Sequence, residues 1–429
     1  MKRSLRVLIY LVLAAGALAA SCGKDKPHLT LMIGGAPAEL DYWEKVTREF
    51  AEKSGIQVSL MRQPTDTDQR RQSLIVPLKA REDDPDVFLM DIVWIGQFAA
   101  SGWLEDLDPY VSRDSFDLSP FFPGMIQLAD RFQGRLVALP VYVDAGLLYY
   151  RTDLLEKYGY VGPPETWRDL IDMAAQVKEG ERAANPDFWG FVWQGAQYEG
   201  VVCNFLEFAL SNGGSLVDRA GNLTLDRPEN IGALRLMRDL IVTYEISPPN
   251  TYTEMKEEEV RSFFEAGNAV FERNWPYAWG LHQAEGSRVR GKVGITLLPR
   301  GENGTHVGAL GGWHVAVSKS SDNRAAGWDL VKFMVSREVQ LGFALNLGWN
   351  PARQDTYDSP ELLRRAPHLV VLKDVFTTAA ARPNLPYYSM LSRVLQAKVN
   401  AALSGITPPE AALGQAQSEA LAVVQTYGQ

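Results

Sequence analysis

From Leu29 to Met90 the hydrophobic pattern switches back and forth between the periods of a strand and of a helix. Leu29–Ile33 reads as a buried strand ending at Gly34-Gly35, and Ala38–Lys53 as a helix with Leu40, Trp43, Val46, Thr47 and Phe50 on one face. Ile56–Leu60, Gln69–Ala80 and Asp86–Met90 continue as strand, helix and strand. A β-α-β-α-β order lets strands pair in parallel with helices covering both faces, so the chain is expected to be α/β.

Leu104–Pro123 reads as a connecting surface stretch. Beyond it Leu139–Tyr150 is strand-like, and helical spacing covers Trp167–Lys178, Val201–Leu210, Ile231–Tyr244 and Glu257–Ala266. Ala269–Arg273 and Val293–Leu297 read as strands, then Ala325–Val335, Val339–Asn346 and Tyr388–Leu403 as helices. The chain has 429 residues, enough for two or three domains at roughly 100–200 residues each. One α/β unit followed by a larger one predicts two lobes with a cleft between them. In open parallel sheets ligands bind beyond the carboxyl ends of the strands, so the cleft is the expected site.

The start of the chain bears on its compartment. Lys2, Arg3 and Arg6 precede an apolar run from Val7 to Ala20, the layout of a signal peptide and short for a transmembrane helix. L-A-A-S-C, ending at Cys22, resembles a bacterial lipobox, whose cysteine becomes the first residue and is acylated. Residues 1–21 are therefore expected to be a signal peptide and 22–28 a lipid-anchored linker, giving an exported protein, periplasmic or at the cell surface. The alternative is cleavage after a small residue, with Cys22 incidental. Loss of Lys2, Arg3 and Arg6 moves the formal net charge from −9 to −12. An acidic chain without a long Lys/Arg run is not a dedicated nucleic-acid binder. Cys203, in V-V-C-N-F-L, reads as core packing. The five histidines lack metal-ligand spacing, so no metal and no cofactor is expected.

Polar residues at strand ends mark the candidate site. Asp91 directly follows the apolar V-F-L-M, and Glu39 opens a helix just past Gly34-Gly35; both belong to the same sheet edge. First-turn capping is the plainer reading of Glu39. Asp144 interrupts the apolar run Leu139–Arg151; buried alone it is costly, so it either faces the cleft or pairs with an arginine such as Arg151. Trp275 in N-W-P-Y and Trp313 in G-G-W lie beside Pro or Gly, where loops reach the surface. Carboxylates accept hydrogen bonds from hydroxyl groups and aromatic faces pack on the C–H face of a pyranose, so the combination suits a sugar. Arg70 and Arg382 are candidate donors to hydroxyl oxygens, or solvated surface charges.

Longer motifs carry a family resemblance. M-D-I-V-W-I-G-Q-F-A-A-S-G-W-L (Met90–Leu104), Leu139–Arg151, F-E-R-N-W-P-Y-A-W-G-L-H (Phe271–His282), G-G-W-H (Gly311–His314), N-L-G-W-N-P (Asn346–Pro351) and A-R-P-N-L-P-Y-Y (Ala381–Tyr388) appear in order along the chain. Together they resemble the extracellular solute-binding proteins (family 1) of carbohydrate ABC importers, in particular those that bind trehalose and maltose. The resemblance implies a two-lobe, periplasmic-binding-protein (type II) fold that crosses between lobes near Val141–Asp144, Leu298–Arg300 and Ser318–Ser321. It implies an N-terminal lobe of 29–142 plus 299–318 and a C-terminal lobe of 143–298 plus 319–429. The implied sugar contacts are Glu39, Arg70, Asp91, Tyr142, Asp144, Trp275, Tyr277, Gly312, Trp313 and Arg382. The implied partners are a disaccharide and a membrane permease with its ATPase, served by a monomer tethered through Cys22.

Two other readings stand beside it. An exported glycoside hydrolase also combines carboxylates with aromatics, with two carboxyl groups flanking one bond. A binding protein of the same fold for a non-sugar solute is the other; three carboxylates against two arginines disfavour an anion.

Overall fold

The computed structural model describes residues 27–427 except 219, 373, 374 and 384. The expected signal peptide and Cys22 lie outside the described residues. The principal strands are β1 (His28–Gly34), β2 (Gln57–Gln63), β3 (Val87–Asp91), β4 (Leu139–Ala145), β5 (Leu147–Arg151), β6 (Trp189–Val192), β7 (Ala269–Asn274), β8 (Val293–Thr296), β9 (Ala309–Val317), β10 (Asn350–Pro351) and β11 (Ala380–Ala381). They form two sheets. The larger runs in the order β10-β4-β9-β3-β1-β2, with β11 also pairing β9, and the smaller in the order β8-β5-β7-β6.

The expected β-α-β-α-β unit is present. β1 pairs in parallel with β2 and with β3. The helices between them are α1 (Pro37–Ser54) and α2 (Thr67–Ala80). The predicted face of α1 is the buried one: Leu40, Trp43, Val46, Thr47 and Phe50. Val87–Asp91 is buried along its whole length, as a strand covered on both faces must be. The sheet is nevertheless mixed, because β9 enters antiparallel between β3 and β4. That insertion is a long-range event with no local signal.

The principal helices that follow are α3 (Trp167–Glu181), α4 (Glu199–Ser211), α5 (Pro228–Val242), α6 (Glu257–Glu265), α7 (Arg324–Met334), α8 (Arg337–Leu347), α9 (Tyr388–Leu403) and α10 (Pro409–Tyr427). Apolar residues of α3, α4, α5, α9 and α10 share a core with the smaller sheet. Among the described residues no helix is long and apolar enough to cross a membrane.

The chain passes between the cores at positions other than those expected. β4 stays in the large sheet through Ala145 and β5 begins at Leu147, so the first passage is Gly146 rather than Val141–Asp144. Residues 299–307 stay with the smaller sheet, where the Arg300 N–H donates to Glu165 O and the Gly301 N–H to Ser211 O. The second passage is Gly308–Ala309, and there the Gly146 N–H donates to Ala309 O. Ser318–Ser321 is not a passage. The Ser318 N–H and the Ser321 hydroxyl both donate to Asp86 in the large sheet's half, and Trp328, Leu330, Val331 and Phe343 of α7 and α8 pack into that sheet's core. The placement of 319–429 with the C-terminal lobe is therefore corrected for α7 and α8, which cover a face of the larger sheet, while α9 and α10 pack with the smaller sheet as expected.

Only glycine suits position 146. A Cβ there would meet Glu207 Oε1 at 1.8 Å. Glu207 is buried, pairs with Arg273 (Nε–Oε2 2.9 Å) and also accepts from the Ala309 N–H at 2.9 Å. Gly146→Ala should therefore destabilise the protein by about 1–3 kcal/mol through overpacking. Urea unfolding checks this, and an unchanged midpoint would contradict the packing described.

Candidate functional site

Cross-strand register assembles the floor of the site. Trp313 of β9 lies opposite Asp91 on β3 and opposite Tyr142 on β4, and Gly311 lies opposite Asp144. Directly opposed residues share a face, so four separately encoded residues meet at one edge. Gly312 has φ +143°, and a Cβ there would lie 2.8 Å from Tyr142 O, so the strand closes up only with glycine.

Two further glycines open space beside the floor. A Cβ on Gly34 would meet Arg70 Nε at 2.5 Å, and one on Gly35, at φ +159°, would meet Glu39 Oε2 at 2.5 Å. Glu39 caps and faces the site at once. Its Oε2 accepts from the Ala36 N–H (2.7 Å) and its Oε1 from Trp349 Nε1 (3.0 Å). Arg70 donates from Nε to Pro64 O (2.8 Å) and holds its guanidinium 4.5 Å from the Trp313 ring centroid. The Tyr142 ring stacks on Trp349 at 4.1 Å.

The opposite wall comes from the smaller sheet's half. Trp275 follows β7; its Nε1 lies 3.4 Å from Glu257 Oε1, and Arg273 sits 4.1 Å from its ring centroid. The Tyr277 hydroxyl donates to Glu258 at 2.7 Å. Arg382 joins the two halves, donating from Nη2 to Asp91 Oδ1 (3.1 Å) and from Nη1 to Glu199 Oε1 (2.9 Å). Glu199 also accepts from the Tyr388 hydroxyl (2.6 Å) and from Ser392.

All ten residues expected at the site border one cavity of about 290 Å³ between the two cores, close to the roughly 300 Å³ lower bound of small-molecule pockets. Sequence reasoning missed Glu199, Glu257, Glu258, Lys256, Asp66 and Trp349, which border it too. Eight carboxylates face three basic side chains around it. Among the described residues no group of His, Cys, Asp and Glu is arranged to hold a metal. Cys203 also borders the cavity, where burial pushes its thiol well up, so it is neutral and unreactive.

Asp144 does not pair with Arg151, which is bound to Asp153 at 2.7 and 2.6 Å. Its Oδ1 is buried without a hydrogen-bond partner, and so is Arg382 Nε. Burial pushes the Asp144 carboxyl up to about 8, with Glu39 and Asp91 adding to the rise and Arg273 opposing it. Burial likewise raises Glu39 against the pull of Arg70, and Glu257 against its bond from Tyr198.

Two α/β cores flanking an acidic, aromatic-walled cavity define a protein that encloses a small polar solute. Residues 36–341 match the family described as bacterial extracellular solute-binding protein, and the chain belongs to that family. It is 37% identical over 396 residues to a Deinococcus radiodurans protein described as a probable ABC transporter-binding protein, covering 92% of each chain. Maltose-bound T. maritima MalE3 superposes with a TM-score of 0.87 at 40% identity, covering 92% of this chain and 98% of that one. A solute-binding protein of Thermotoga lettingae bound to α-D-tagatose superposes at 0.84 with 27% identity, covering 93% and 100%. The fold is thus the two-lobe solute-binding protein fold.

The raised Asp144 carboxyl links stability to pH. Unfolded, it titrates near 3.9. Its contribution is full below about pH 4 and is lost as pH rises toward about 8, by at most about 1.4 kcal/mol per pH unit. Asp144→Asn should match the parent near the acid end and become progressively more stable toward pH 8. Calorimetric melting of the sugar-free protein across that range measures the difference; a variant with no gain at the alkaline end would contradict it.

Proposed function

We propose that this chain is the substrate-binding subunit of a carbohydrate ABC importer, capturing a neutral disaccharide, such as trehalose or maltose, between its lobes. The observation that carries the reading is the cavity's lining of carboxylates, arginines and aromatic rings, among which Asp144 Oδ1 and Arg382 Nε are buried without a partner in the protein. A hydroxyl both donates and accepts, so a guest rich in hydroxyl groups suits both; a purely anionic guest suits only the second. Trp275, Tyr277 and Trp313 supply rings for pyranose faces. The maltose in the T. maritima neighbour supports the same class of guest.

The excess of carboxylates over basic side chains weighs against an anionic solute. The role is capture and release without bond cleavage, in keeping with a family of binding proteins rather than hydrolases. The guest bridges both lobes and therefore favours the closed form, which is what the permease with its ATPase subunits receives. A monomer held at the membrane by acylated Cys22 completes the reading, with residues 1–21 removed on export.

Titration calorimetry of the exported protein with trehalose, maltose and phosphate esters tests the reading. The disaccharides should bind without release of glucose. Asp91→Ala and Trp275→Ala should each weaken binding by about tenfold or more, over 1.4 kcal/mol, while melting stays cooperative. Unchanged affinity in both variants would remove the site assignment. Intact-mass analysis should show a lipid-modified N-terminus at Cys22; an unmodified one would sink the anchor.

A further inference from the structure

The bordering residues that are exposed are Pro64, Thr65, Gln69 and Glu259, and they fall in two segments. One leads from β2 into α2 on the large sheet's side. The other opens α6, whose Val260 and Phe264 pack with Tyr149 of the smaller sheet. The mouth of the cavity therefore lies between these rims, while Asp91, Asp144 and Arg382 lie buried at its floor.

An ion pair spans the mouth: the Lys256 ammonium donates to Asp66 Oδ2. Each partner is held by its own rim. Asp66 caps α2, accepting from the Gln69 N–H on Oδ1 at 3.0 Å. Lys256 Nζ lies 5.3 Å from the Tyr198 ring centroid. Burial pushes the Asp66 carboxyl up, but Lys256 and the Gln69 N–H outweigh it and hold the group below its ordinary value.

We infer that Asp66 and Lys256 form a latch, made only when the rims meet, that sets how fast an enclosed sugar leaves. The inference rests on the sugar-binding reading above. Parting the rims to free the guest breaks the pair, so its strength adds to the barrier for release. The side chains are 15% and 38% exposed, which places the pair among the modest ones, contributing at most about fivefold to the rate. Once the rims part the pair is already broken, so its loss leaves an open form unchanged.

Stopped-flow release of maltose from the full chain, from Asp66→Asn, from Lys256→Met and from the double variant tests the latch. Asn keeps the helix cap and Met keeps an unbranched apolar stem against Tyr198. Each single variant should release maltose about threefold faster, with the double variant no faster than either. Raising salt to about 1 M should bring the parent to the same rate and leave the variants unmoved. Equal release rates in all four forms, single effects that multiply in the double variant, or salt that accelerates every form alike would overturn the latch. If neither maltose nor trehalose binds the parent chain, the sugar reading fails and the latch with it, an outcome distinct from sugar that binds and leaves at one rate throughout.

Discussion

A carboxylate taken out of water must be paired, protonated or given a polar guest, and this cleft gathers Asp91, Asp144, Glu39, Glu199 and Glu257 within one lining. Arg382 pairs with two of them, and Glu39 is held by a backbone N–H and an indole. Asp144 keeps an oxygen without a partner and holds its proton up to about pH 8. The scaffold thus resolves much of its buried charge internally, while Asp144 Oδ1 and Arg382 Nε stay without a partner in the protein. A site built this way can bind a neutral polyhydroxyl compound closely and still let it go, because each contact with the guest is an uncharged or singly charged hydrogen bond.

The scaffold holds these groups by register and by missing side chains. β9 enters antiparallel between β3 and β4 and sets Trp313 beside Asp91 and Tyr142. Gly34, Gly35 and Gly312 leave the space that Arg70, Glu39 and the Tyr142 backbone fill. Gly146 and Gly308 carry the chain between the cores in contact with each other, over the buried Glu207–Arg273 pair. The chain returns to the smaller sheet's side once more before α9, so short segments join the halves, the geometry that hinge closure uses.

The sequence was legible where the signal is local. Strand and helix periods located the first α/β unit, a carboxylate directly after an apolar strand pointed to Asp91, and one interrupting an apolar run pointed to Asp144. Glu39 showed both of its readings at once, since its capping bond and its place in the cavity coexist. Other parts carry no local mark. Glu199 opens a helix buried along nearly all its length, so it reads as an outlier in a core segment; only the distant Arg382, Tyr388 and Ser392 give it meaning. Trp349 sits in a recognised motif, yet its stacking on Tyr142 depends on the pairing of β10 with β4. The placement of α7 and α8 failed for the same reason, because an amphipathic face does not say which sheet it will cover.

A crystal structure of the protein grown with trehalose or maltose tests the central claim most directly. A hydroxyl oxygen of the sugar should lie within hydrogen-bond reach of both Asp144 Oδ1 and Arg382 Nε, with a pyranose face against Trp275 or Trp313. A sugar lying elsewhere, or a cleft in which those two atoms turn to each other and admit no guest, would contradict the account.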